Sequence, residues 1–192
     1  MQHSITLNDL YDAIHPITKR YEFARALFIE TSGLTVSSNL NQTLIEPLPT
    51  TRGVVVSILK NGLLYEASSI VHSRNDIQKT IEGLENTVKK SNQEGTLRLM
   101  AEERANICAG NFIEDTLSNK DKAIYAMKMA QAIKAQNAKV AMASARYRQI
   151  NTHEMYVSAE KTLEQYLPRF EAVYAAVLKD TTTNATAQIY DG

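Results

Sequence analysis

The sequence predicts an α+β fold: a layered domain of mostly antiparallel sheet with packed helices. Three observations lead to it. Runs rich in strand formers fall into two blocks, residues 24–68 and 139–190, on either side of a helical middle. Asn61-Gly62 stands between two apolar runs and is a strong hairpin signal, because both residues tolerate positive φ. Apolar residues at helical spacing are confined to an opening segment and to that middle.

The opening segment, residues 7–19, carries Leu7, Leu10, Tyr11, Ile14 and Ile17 at helical spacing. Thr6 or Asn8 can cap it. Pro16 should end its regular part, since the ring clashes with the preceding turn. Residues 24–31 form a first strand that stops at Ser32-Gly33. Leu34, Val36 and Ser38 then alternate with Thr35 and Ser37, residues 39–42 turn, and residues 43–46 extend again until Pro47 and Pro49 stop them. Residues 53–59 are a nearly continuous apolar run, the pattern of a strand covered on both faces. Residues 63–68 return from the Asn-Gly turn.

Residues 75–90 place Ile77, Ile81, Leu84 and Val88 on one helical face. Ser73 or Asn75 is the N-cap, and Lys89-Lys90 suit the negative end of the helix dipole. Residues 91–117 are less regular. Within them residues 97–108 read as a further helix and residues 110–117 as a connecting loop. Ser118 and Asp121 have the spacing of a capping box. The Ala-rich helix they open, to about residue 135, carries Ile124, Met127, Ala130 and Ile133. Strands at residues 139–150, 154–158, 162–179 and 186–190 finish the chain. Pro168 should break the third and mark an edge or bulge.

A chain of 192 residues fits one domain, residues 1–192, with an irregular lobe at 91–117. Lys+Arg and Asp+Glu are both 21, so a balanced charge gives no reason to expect nucleic acid or an anionic membrane as partner. The single cysteine, Cys108, excludes an intramolecular disulfide and suits a reducing compartment. The first twenty residues hold no apolar run like a signal peptide, and no stretch approaches the ~20 apolar residues that span a bilayer. The expected location is the cytoplasm.

Two stretches resemble a known family. They are EFARALFIETSGLTVSSNLNQTLIEPLPTTRGVVVSILKNGLLYEASS, residues 22–69, and the run from Ser118 through Gln188-Ile-Tyr-Asp-Gly192. TTRGVVVSILKNGLLYEASS is similar to that family's Arg-Gly, strand, Asn-Gly, strand hairpin. LPRFEAVYAAVLKD is similar to its long strand after an arginine-containing turn. The ordered set resembles the N-terminal domain of the TldD/PmbA metallopeptidases, the modulator of DNA gyrase family. This chain departs from the family at Leu64-Tyr65-Glu66, where a Gly-aromatic pair is usual, and at Val157 to Lys161, where an Asn-Ser-x-Gly turn is common.

The resemblance implies a function for the whole and not for this part. Members are expected to dimerise and to cleave unfolded or modified peptides, through a zinc-type metal held in a second half by a His-Glu-x-x-x-His helix. Metal-activated water would attack, with a Glu as base. That motif lies beyond the matched region, so no catalytic, cofactor-binding or metal residue is assigned in this chain.

His153-Glu154 is the one sequence feature close to a metallopeptidase motif. The second His would stand at Val157 or Ser158, and the segment reads as strand, so an ordinary loop or strand-edge pair is expected. His3, His15 and His72 are scattered, which does not suit a zinc site. Cys108 has no nearby His and reads as a small buried hydrophobe. Arg52-Gly53 lacks a P-loop pattern. Glu102-Glu103, Asp180 and Asp191 read as surface charges. Arg146 and Arg148 flank Tyr147 on a strand, as a solvated face or a protein contact.

Two functions follow. The first is a non-catalytic half that contributes to the substrate chamber and the dimer contact. Its partners would be a catalytic C-terminal half or a TldD/PmbA-like subunit, in a homo- or hetero-dimer, and a peptide held by strand addition. The second is a stand-alone binding or assembly subunit. The ending at Tyr-Asp-Gly, with no polar tail, favours a cut at a domain boundary and so the first.

Overall fold

A computed structural model describes residues 5–99, 102, 104–109 and 117–191. The element order is α1 Leu7–Thr18, β1 Phe23–Asn39, β2 Thr43–Lys60, β3 Leu63–Ile70, α2 Arg74–Lys90, β4 Ala105–Ala109, α3 Asn119–Gln136, β5 Val140–Ser158, β6 Lys161–Lys179 and β7 Thr186–Asp191. The strands form a seven-stranded sheet in the order β3-β2-β1-β5-β6-β4, with β7 also beside β6. β2–β3 and β6–β7 are antiparallel and β4–β6 is parallel. This is the expected α+β class, with helices on a mostly antiparallel sheet.

Two compact units are present. One comprises Met1–Thr31, Thr50–Asn111 and Thr152–Leu167, the other Ser32–Pro49, Phe112–Asn151 and Pro168–Gly192. The first unit holds α1, α2 and the larger core. Leu10, Ile14 and Ile17 of α1 and Ile77, Ile81 and Val88 of α2 are buried with Ala24, Ala26 and Phe28 of β1 and Val54, Val56 and Ile58 of β2. α2 packs on β3 and α1 on α2. Each large side chain fully withdrawn from water contributes about 1.5–3 kcal/mol. Glu85 of α2 is buried as well, and Arg20 at 2.9 Å and Lys89 at 3.1 Å answer its charge. The second unit has a core of small side chains: Val36, Ala126, Ala130, Val140, Ala143 and Ala145 are buried.

The helix starts follow their caps. Thr6 and Asp9 form a reciprocal capping box. Ser73 caps α2 and Ser118 caps α3 by accepting from the N–H of Asp76 and Asp121. Asn61 and Gly62 have φ of 52° and 69°, as a tight hairpin between β2 and β3 requires.

The prolines and Gly33 do not interrupt the chain where the sequence suggests. α1 runs two residues past Pro16, which falls in its last turn, where the lost donor removes one bond. β2 continues through Pro47 and Pro49. The Asn39 N–H donates to the Gln42 carbonyl at 2.9 Å, so the even-numbered residues from Gln42 bond toward β1. Pro47 and Pro49 therefore face away, along a stretch that β3 does not reach, since its register begins at Gly53. Pro168 falls in the gap of β6 between the register of β4, ending at Gln165, and that of β7, beginning at Tyr174. β1 passes through Gly33 because the close approach of β5 requires a residue without Cβ: one built there would lie 2.0 Å from the Gln149 carbonyl oxygen. The two segments expected at 139–150 and 154–158 are likewise one strand.

Of the helix expected at 97–108, residues 105–108 lie instead in a short strand, β4, parallel to the start of β6, and residues 100, 101 and 103 lie outside the described residues. In α3 the buried residues are Lys122, Ala126 and Ala130, and Met127 of the expected face is exposed. Residues 95–97 lie against the hairpin turn, with Gly95 N–H on Asn61 O at 2.8 Å and Leu97 N–H on Gly62 O at 3.0 Å. The loop expected at 110–117 lies, but for Leu117, outside the described residues, as do His3 and Glu103.

Candidate functional site

In the first unit a polar row follows directly on the apolar core. Side chains alternate along a strand. Glu30 therefore shares the face of Phe28 on β1, Arg52 that of Val54 on β2, and His153 that of Met155 on β5. Arg52 Nε donates to Glu30 Oε2. His153 Nε2 lies 2.8 Å from Glu164 Oε1 on β6, and Tyr166 donates to the same oxygen at 3.2 Å. The imidazole stacks on the Tyr166 ring at 4.2 Å and meets the Phe28 ring edge-on at 6.4 Å. Burial, then the Glu164 charge, raise the Tyr166 hydroxyl above the usual tyrosine range.

On the opposite face Arg25 Nε donates to Ser57 Oγ at 3.1 Å, which donates to Glu66 Oε1 at 2.6 Å. Glu102 accepts from the hydroxyls of Tyr156 and Ser158. Burial, then the Glu102 carboxylate, push the Tyr156 hydroxyl up to about 12.

The second unit holds a cleft of about 370 Å³ over its strands. Ser37 and Leu44 come from the β1–β2 hairpin, Ser144 and Arg146 from β5, Val173 and Ala175 from β6, and Tyr190 from β7. The hairpin turn is held by Asn39 Oδ1, which accepts from the N–H groups of Asn41 and Gln42, both at 2.8 Å. Arg146 and Arg148 are exposed on either side of half-buried Tyr147, as the alternation predicts. Tyr147 stacks on Phe170 at 6.3 Å.

His153 and Glu154 sit inside a strand and point to opposite faces. Glu154 accepts from Gln165. His15 stacks on Tyr11 at 4.7 Å, and the His72 N–H bonds the capping Asp76. Among the described residues no group of three His, Cys, Asp or Glu side chains is placed to hold a metal ion, so these residues do not fit a zinc site. Asp180 pairs with Lys139 at 3.2 Å. Cys108, expected to be buried, is exposed on the short strand β4, opposite Glu164 in register. Sequence reasoning missed the His153–Glu164–Tyr166 group and the cleft. Their only signal was polar residues at alternate positions, and strand register decides which of those meet.

No family model matches the chain, and no curated protein matches it. Solved structures do. Over 99% of its length the chain is similar to a proposed modulator of DNA gyrase from Bacteroides thetaiotaomicron, with TM-score 0.75 and 12% identity, covering 45% of that protein. A second such protein, from Thermotoga maritima, is matched over 97% of this chain and 43% of its own, with TM-score 0.64 and 16% identity. TldE from Thermococcus kodakarensis is matched over 95% and 42%, with TM-score 0.62 and 12% identity. The chain thus has the fold of part of these proteins and spans less than half their length.

Proposed function

We propose that this chain is the non-catalytic N-terminal half of a TldD/PmbA-type metallopeptidase acting on unfolded or modified peptides. In this reading residues 1–192 are a single N-terminal-like domain. It contributes to the substrate chamber and to dimer assembly in the cytoplasm. A zinc-type metal belongs to a catalytic C-terminal half or to a partner subunit.

The observation that carries the reading is coverage: nearly all of this chain fits 45% of the Bacteroides protein. The donor set supports the same division of labour, since His153 is committed to Glu164 and Tyr166. β3 ends the sheet order, and such an edge suits an extended peptide that adds a strand. A second reading, a stand-alone binding or assembly subunit, is favoured by the cleft around Arg146.

The test is peptidase activity in the assembly captured on this chain from its own source. An unfolded peptide is cleaved, a chelator abolishes cleavage, and the 192-residue chain alone is inactive. Cleavage by the chain alone, or none by the assembly, rejects the reading.

A further inference from the structure

We propose that the cleft of the second unit holds the C-terminal end of a peptide whose last side chain is apolar, with Arg146 anchoring its carboxylate. The proposal rests on the reading that this chain handles peptides, and it names which part of the peptide is held.

Arg146 is the only formally charged residue among those described that line the cleft. It has no ion-pair partner among the described residues, whereas Arg148, two positions along the same strand, lies 4.0 Å from Glu171. An unpaired guanidinium in a concave site attracts an anion, and its planar fork matches the two oxygens of a carboxylate. A lone cation in a site with no helix N-terminus among its described lining suits a single negative charge better than a phosphate, which carries more charge and calls for more donors.

The rest of the lining describes the body attached to that charge. Leu44, Val173 and Ala175 supply apolar surface, and the Ser37 and Ser144 hydroxyls can pair with a peptide backbone. The volume of about 370 Å³ is at the lower end for ligand sites, enough for a terminal residue and its neighbour.

The test is equilibrium binding of N-acetyl-Ala-Ala-Leu to the purified chain, as the free acid, as the C-terminal amide, and beside N-acetyl-leucine. The acid is expected to bind at least about tenfold more tightly than the amide, the size of a lost charge-assisted pair. Arg146→Gln should remove that preference, and Arg148→Gln should keep it. The acid-amide comparison needs no variant, so misfolding cannot mask it. Equal affinity for acid and amide overturns the Arg146 subsite while peptide binding stands. Failure of acid and amide alike overturns the subsite and the peptide reading together. Binding of N-acetyl-leucine as tightly as the tripeptide overturns the peptide end in favour of a free small acid.

Discussion

His153 and Glu164 face each other across β5 and β6, 2.8 Å from Nε2 to Oε1, and the Tyr166 ring covers the imidazole at 4.2 Å. One carboxylate oxygen thus serves two donors at the end of the apolar core. Glu164→Ala should cost about 1–3 kcal/mol, because both donors lose their acceptor in a half-buried place. Glu164→Gln keeps an acceptor oxygen and should cost less than half as much. Urea denaturation of the two variants checks the order.

Gly33 and Gln149 give a second stability prediction. A Cβ on residue 33 would meet the Gln149 carbonyl oxygen at 2.0 Å, and backbone cannot swing aside as a side chain can. Gly33→Ala should therefore lower stability by about 2–4 kcal/mol, in the tail of single-substitution effects. Gly83→Ala, on an exposed part of α2 with open space around it, should be neutral or slightly stabilising. Thermal melts of the two variants give the contrast.

Much of the first unit was legible in the sequence. The buried faces of α1 and α2, their two caps and the Asn61-Gly62 turn all depend on residues within a few positions of one another. What failed was long-range. Pro47, Pro49 and Gly33 read as strand breakers, and only the neighbouring strand decides which way a missing donor faces or how near a backbone comes. The expected helix at 97–108 was overridden by pairing of residues 105–109 with the distant β6. The candidate cleft gathers side chains from five strands, so no local pattern announces it.

Tyr156 sets an alkaline limit. Its folded value, about 12, lies above the ordinary tyrosine value of 10.0, first through burial and then through Glu102. The stabilisation is fully present below pH 10, the unfolded value, and is lost as pH rises toward the folded one. Stability should fall across that window, and Tyr156→Phe should make the fall shallower. Tyr21, Tyr147 and Tyr166 are also raised, so some of the decline remains. Urea midpoints at stepped alkaline pH measure it.

The cap of α1 gives an acid-side prediction. Hydrogen bonds from the Thr6 hydroxyl and N–H hold the Asp9 carboxyl below its usual range. Its stabilisation is present above the unfolded value of 3.8 and is lost as pH falls through the lower folded value. Thr6→Ala should cost about 1 kcal/mol at neutral pH. It should also weaken the acid sensitivity of folding below pH 4, which urea midpoints at stepped acidic pH would show.

Cys108 is exposed on an edge strand, so it should react with a thiol reagent in the native protein at close to the rate of a free thiol. Slow labelling that quickens only on unfolding would contradict its placement on β4.

The central claim is that this fold serves as one half of a metal-dependent peptidase. Native mass and metal content, measured together on the protein purified gently from its own source, test it most directly. The account predicts a mass well above 21.4 kDa, from a longer chain or a tightly bound partner, with about one metal ion per catalytic half. A metal-free species of 21.4 kDa, or a simple multiple of it, would contradict the account and leave a binding module that works alone.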